Sequence, residues 1–374
     1  MEYWKRKNAK LAHRWDVLDY EVEEERPRPQ YTALCSDFAK NPVTGALEPH
    51  FPERLRMARI IAGLICILLM MVLVIVFIVA VIIYRLLIMV PLFKNELLRP
   101  NAGIYANMSA AMVNLVLIMC LGKVYEKLAY KMTQWGKYVN HSLGELEMHR
   151  TQSNFENQLI FKVFLFQFVN FYASIFYVAF FKGRFIGYPG NYIYFFGLRN
   201  EDCNNGGCLI ELAQQLLVIM VGKQIINNCQ EILIPKMRTW WHTYTKDLNK
   251  QSTGSTSSVQ TECMFVEDYK LIPYEGLFDE YLEMVLQFGF VTIFVAAFPL
   301  APFFALLNNW IEIRLDANKL VRETRRPLAE RAQNIGVWFR ILEVLVRIAV
   351  ISNAESGTDN LQKLSGPTAD CNAA

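Results

Sequence analysis

IIAGLICILLMMVLVIVFIVAVIIY, residues 60–84, runs for 25 residues without a charged side chain. A helix rises about 1.5 Å per residue, so roughly 20 apolar residues cross a hydrocarbon core of about 30 Å. This stretch is long enough to do so and has no polar face to turn towards water. Further runs follow it. Asn101–Gly122 is uncharged with a weakly apolar first half, and Val163–Phe181 is uncharged and rich in Phe. Leu209–Pro235 is mostly apolar but carries the charges Glu211, Lys223 and Glu231; Met284–Ile311 is uncharged; Val337–Ala354 is interrupted by Arg340, Glu343 and Arg347. The expected class is an all-α, polytopic transmembrane helical protein. Composition agrees: 53% of residues are hydrophobic and mean hydropathy is +0.18, whereas a soluble domain must cover its surface with polar groups. A net charge of +3 gives no case for a nucleic-acid partner.

Met1 is followed by the charged stretch Glu2–Arg14, so no signal peptide is expected. Residues 1–57 read as a cytosolic segment whose Lys and Arg residues place the N-terminus inside. Residues 58–354 read as the transmembrane region and 355–374 as a polar, disordered tail. Between the spans, 123–159 suits a cytosolic helical hairpin, 182–208 a turn-dense outer loop, and 244–262 a flexible linker. Cys203 and Cys208 flank an Asn-Asn-Gly-Gly turn in that outer loop. They are disulfide candidates, with each other or with more distant cysteines. Cys66, Cys120 and Cys229 lie in apolar helices, where Cys is a small buried hydrophobe. Asn107 opens an Asn-Met-Ser glycosylation acceptor on the expected outer side.

The run 284–311 is too long for one crossing and contains Phe298-Pro299-Leu300-Ala301-Pro302. Proline removes a backbone donor and restricts the residue before it, so a helix break and a returning helix are expected there. Glu280, Glu283, Glu312 and Asp316 then reach a similar depth near the cytosolic side. Asn227 and Glu231 are four apart, Glu280 and Glu283 three apart, and Glu312 and Asp316 four apart. Each pair therefore shares a helix face.

Taken singly, each pair also reads as helix-end charges in water, since Glu280 follows Asp279 and Glu312 and Asp316 neighbour Arg314. Taken together, five carboxylates and an amide converging in low dielectric would repel strongly, each buried acid costing about 2.5–3.5 kcal/mol on insertion scales. A calcium ion, with six to eight oxygen ligands in flexible geometry, relieves that repulsion. The histidines, His13, His50, His141, His149 and His242, lie outside the spans, so zinc and di-iron sites are unsupported. Magnesium prefers more water and fewer carboxylates.

Ion binding at the end of the Leu209–Pro235 segment could reposition it about Gly222, a permissive point in a helix. Lys223 interrupts an apolar face and suits a water-filled groove that attracts chloride or lipid phosphate. Gly222 and Lys223 are thus groove or gate candidates. Arg85, Lys162 and Lys182, at span ends, are expected to snorkel to the interface.

GKQIINNCQE (222–231), the 280–317 stretch EYLEMVLQFGFVTIFVAAFPLAPFFALLNNWIEIRLDA, and FVNFYASIFYVAFFKGRFIGYPG (168–190) resemble the anoctamin family, as does EYWKRK (2–7). The resemblance runs from about Glu2 to Ala354. It implies a partial anoctamin fold, about helices three to eight plus part of nine, in a calcium-activated chloride channel or phospholipid scramblase. It implies two calcium ions held by Asn227, Glu231, Glu280, Glu283, Glu312 and Asp316, with Asn228 and Asn308 as secondary contacts. It also implies a groove lined by helices three to seven and a homodimer, in the plasma membrane or the endoplasmic reticulum. The family's cytosolic N-terminal domain, first two spans and tenth helix have no counterpart in the sequence, and the tenth carries much of the dimer contact. The expected function is calcium-activated phospholipid scrambling and/or chloride conduction. A non-transporting tether or regulatory partner of full-length anoctamins is the alternative. An enzyme is not expected, since the acids lack a paired His, Ser or Cys nucleophile.

Overall fold

The computed structural model describes residues 2–18, 20, 25–35, 37–40, 45, 47–50, 53–94, 96, 99–134, 151–182, 187–188, 191–192, 194–195, 198–199, 207–252, 271, 274, 276–327, 329 and 331–364. The helices are α1 (Glu2–Arg14), α2 (Pro29–Leu34), α3 (Glu53–Lys94), α4 (Ala102–Gln134), α5 (Gln152–Phe176), α6 (Gly207–Ser252), α7 (Phe278–Ile293), α8 (Ala301–Asn318) and α9 (Trp338–Leu364). Among the described residues, strands are confined to two-stranded antiparallel hairpins, β1 (Asp37–Lys40) with β2 (Leu47–His50), β3 (Gly187–Tyr188) with β4 (Asn191–Tyr192), and β5 (Tyr194–Phe195) with β6 (Leu198–Arg199). The last two pairs occupy the loop expected to be turn-dense.

Among the described residues, four helical stretches are long and apolar enough to cross a membrane: Gly63–Lys94, Ala102–Ala129, Gln152–Phe181 and Cys208–Gln230. The chain is a multi-pass membrane protein of all-α class. The first span buries little of itself inside the molecule. Leu69, Val72 and Val76 stand more than half exposed, as suits side chains whose solvent is lipid. Cys120 and Cys229 are likewise exposed on their helices rather than buried, contrary to expectation.

Helix α5 is the hub, touching α3, α4, α6 and α7. Its Tyr172 is fully buried, stacks on Phe168 (4.6 Å between centroids) and Phe290 (4.5 Å), and donates its hydroxyl to Leu286 O at 2.7 Å. Gly289 makes this approach possible, because a Cβ there would lie 2.2 Å from the Tyr172 hydroxyl. Polar side chains tie α4 to α5: Asn114 donates to Ser174 Oγ (2.9 Å) and Asn170 to Ile118 O (2.9 Å). In lipid, where water offers no alternative partner, such bonds between helices are the available polar glue.

The break inside 284–311 is present. Helix α7 ends at Ile293, the chain turns through residues 294–300, and α8 begins at Ala301 with Pro302 in its first turn, where a missing N–H is harmless. The last carbonyls of α7 would be orphans within the membrane. Helix α9 supplies their donors: Ser352 Oγ to Ile293 O at 3.1 Å and Asn353 Nδ2 to Thr292 O at 2.8 Å. The entry to α9 is held by Asn157 of α5, whose Oδ1 accepts from Val337 N at 2.9 Å beside Gly336, a residue at φ +62°.

Several boundaries differ from expectation. Helix α6 continues past Pro235 to Ser252, so the start of the expected linker is helical. Helix α9 runs past Ala354 to Leu364, so the tail does not begin as disordered chain at 355. Polar composition does not stop a helix that an apolar face has already docked. The expected cytosolic hairpin at 123–159 falls partly outside the described residues, as do most of the linker 244–262 and the end of the tail.

Candidate metal centre

The hairpin α7–α8 and the long helix α6 meet at one polar level. Glu280 stands in the first turn of α7 with Glu283 one turn on; Glu312 and Asp316 stand one turn apart on α8. Glu280, Glu312 and Asp316 each bring a carboxylate oxygen within 4.8 Å of the other two. Glu312 is 2% exposed, so it is not a helix-end charge in water. Asn227 of α6 donates its Nδ2 to Glu283 Oε2 at 3.2 Å, which brings α6 against the same group. Glu231 follows Asn227 by four residues on α6, and its side chain lies outside the described set.

Both secondary candidates join this network through glutamines that spacing arguments had passed over. Gln224 donates Nε2 to Glu312 Oε2 (3.1 Å) and to Asn228 Oδ1 (3.2 Å), bridging α6 to α8. Asn308, buried one turn before Glu312, donates Nδ2 to Gln287 Oε1 at 3.0 Å. Gln287 in turn donates to Asn309 Oδ1 at 2.8 Å. Gln224 precedes Asn228 by four residues and Gln287 follows Glu283 by four, so the helical period was the signal that could have found them. Lys319 was also missed; its Nζ donates to Glu280 Oε1 at 2.6 Å.

The donor set suits a hard cation. It is oxygen throughout, from carboxylates and amides, which is calcium chemistry rather than zinc chemistry. Two of its oxygens, Glu283 Oε1 and Asn308 Oδ1, are shut off from solvent and find no hydrogen-bond partner among the described residues. A buried acceptor without a donor is costly, by about 1–3 kcal/mol and more when charged. A cation among these oxygens would remove that cost, so the residues fit the metal.

Lys223 lies between two cavities. One, of about 170 Å³, is lined by Gln224, Asn228, Glu283, Gln287 and Asn308; the other, of about 240 Å³, by Lys123, Glu126, Gln167, Asn227 and Glu283. Its Nζ sits 5.1 Å from the centre of the Phe171 ring, a cation–π contact. Gly222 has a visible packing role, since a Cβ there would lie 2.5 Å from Leu115 Cδ2 of α4. The helix runs through it unbroken.

A second charged cluster lies away from this site. Arg85 of α3 and Lys182, at the end of the π turn after α5, both pair with Glu211 of α6, and Arg85 also donates to Asn107 Oδ1 at 3.4 Å. The expectation of snorkelling therefore fails for Arg85 and Lys182, which are 8% and 6% exposed. A buried carboxylate holds them better than the interface would. Asn107 is buried in this cluster, and its side chain would have to leave it to carry a glycan. Cys208 is disulfide-bonded; the other candidate, Cys203, lies outside the described residues.

Comparison with known proteins agrees with this architecture. The family profile described as "Anoctamin: Calcium-activated chloride channel" matches residues 1–356. The chain is 56% identical to Anoctamin-7 of Homo sapiens over 356 residues, which is 95% of this chain and 37% of that protein. It is 57% identical to Anoctamin-7 of Mus musculus over 95% of this chain and 40% of the relative, and 44% identical to Anoctamin-4 of Mus musculus over 95% and 36%. The chain thus spans well under half the length of these relatives. With the family profile covering nearly all of it, the chain belongs to the anoctamin family.

Proposed function

We propose that the chain carries a calcium-gated transport function of anoctamin type, moving phospholipids, anions or both across the membrane. The observation that carries this reading is the meeting of Glu280, Glu312 and Asp316 within 4.8 Å, beside the Glu283–Asn227 contact. Asn227, Glu231, Glu280, Glu283, Glu312 and Asp316 would hold two ions, with Asn228 and Asn308 near them. Bound calcium would supply positive charge to these acids beyond that of the Lys319 ammonium on Glu280. The chain's own residues do the coupling. Gln224 and Asn227 fasten α6 to α8 and α7 respectively, so the spacing of the acids on α7 and α8 sets the position of α6. Helix α6 also carries Lys223, which lines both cavities and can meet a chloride or a lipid phosphate.

The name of the matched family supports anion movement, and lipid movement rests on the family resemblance, since a groove of this polarity suits either substrate. An intracellular N-terminus and residence in the plasma membrane or endoplasmic reticulum belong to the same proposal. Reconstitution of the purified chain in liposomes tests it. Calcium-dependent exposure of fluorescent lipid supports scrambling, and calcium-dependent chloride flux supports conduction. Calcium binding without either movement would replace the proposal with a tether.

A further inference from the structure

Helix α8 does not stop at Asp316. Lys319 lies three residues beyond it and seven beyond Glu312, so the face that presents the two acids ends in an ammonium. At that residue the helix changes into a single π turn, Lys319–Glu323. The turn is closed by Thr324, whose backbone N–H and hydroxyl both donate to Lys319 O, at 3.0 and 3.2 Å. Such turns are rare and recur at functional sites. Here the turn starts at the residue that reaches across the hairpin. Lys319 Nζ donates to Glu280 Oε1 at 2.6 Å, with the two side chains 34% and 23% exposed.

We propose that Lys319 is a tethered cation that competes with calcium for Glu280 and thereby sets the affinity of the centre; this rests on the calcium reading above. Glu280 belongs both to the ion pair with Lys319 and to the carboxylate triad with Glu312 and Asp316. A divalent ion among those three carboxylates would sit within a few ångströms of the ammonium. At that distance two cations repel, the repulsion being reduced but not abolished by the solvent that reaches these partly exposed side chains. Binding therefore requires Lys319 to release Glu280 or the ion to accept its repulsion. Either way the lysine lowers affinity. Held by the same backbone, it also keeps Glu280 against α8 before an ion arrives, which limits how far the acids splay.

Radiocalcium dialysis of the full chain in detergent tests this without reference to transport. Lys319→Met should bind calcium roughly tenfold more tightly, a change of about 1.4 kcal/mol. Lys319→Arg should stay near the parent, and Lys319→Gln should follow Lys319→Met if the latter folds poorly. In a Glu280→Gln background, Lys319→Met should gain less than it does alone. Unchanged or weaker binding by both neutral variants overturns the competition. Failure of the calcium reading looks different: the parent chain would then bind no calcium saturably, or Glu312→Gln would bind as well as the parent.

Discussion

Glu283 and Asn308 each bury an oxygen that no donor among the described residues meets, while Glu312 is almost wholly enclosed. Side chains of this kind are strained by charge and desolvation, and the strain has a direction. Glu312→Gln removes a charge but keeps the shape, so calcium binding should weaken at least tenfold in dialysis while the folded protein melts at the same temperature or higher. A lower melting temperature would mean that the carboxylate is structural. Two glycines separate tight from tolerant packing. Gly289→Ala puts a methyl 2.2 Å from the Tyr172 hydroxyl and 3.0 Å from its ring, and Gly222→Ala puts one 2.5 Å from the mobile end of Leu115. The first should destabilise by about 1–3 kcal/mol, as overpacking does, and the second by less. Thermal unfolding in detergent should order them so.

Among the elements, α7 is the shortest that matters and the most dependent on its neighbours. Its acids enter at one end and its last carbonyls depend on Ser352 and Asn353 of α9 at the other. Ser352→Ala with Asn353→Ala should leave the Ile293 carbonyl, in a buried contact, and the Thr292 carbonyl, in a part-buried one, without these donors. A loss of roughly 1–3 kcal/mol per group is expected, read as faster amide exchange at the end of α7. If exchange there is unchanged, the cap is dispensable. The hairpin was legible from Pro299 and Pro302, yet α7 stops earlier, at Ile293. Proline marks that a helix cannot pass; where it ends is decided by which carbonyls find donors elsewhere.

For the molecule as a whole, α3 is the clearest statement about solvent. Leu69, Val72 and Val76 are 65%, 57% and 56% exposed on the uncharged stretch 60–84 of that helix. Spin labels at these positions in liposomes should be relaxed far more by dissolved oxygen than by a water-soluble nickel chelate. The opposite ranking would place α3 against water or protein. The Arg85–Glu211–Lys182 cluster makes a second prediction at this scale, since it ties α3, the end of α5 and α6. Glu211→Gln removes the carboxylate that both buried cations share and should destabilise by about 3–5 kcal/mol, the cost of breaking a buried pair. Thermal unfolding measures it.

Sequence alone determined the membrane class, the proline-broken hairpin and the faces on which the acids stand. These depend on runs of apolar residues, on backbone chemistry and on the helical period, all of which are local. Only the tertiary structure decided what meets across elements. It brought Lys319 to Glu280, Gln224 to Glu312, and Arg85 and Lys182 to Glu211, and it set α6 running on past Pro235. The carboxylate cluster therefore comes with a counter-cation and amide bridges that spacing did not reveal. The reason is physical: a period says which residues share a face, but the partner of a buried charge is whichever opposite group packing delivers, often from far away in the chain.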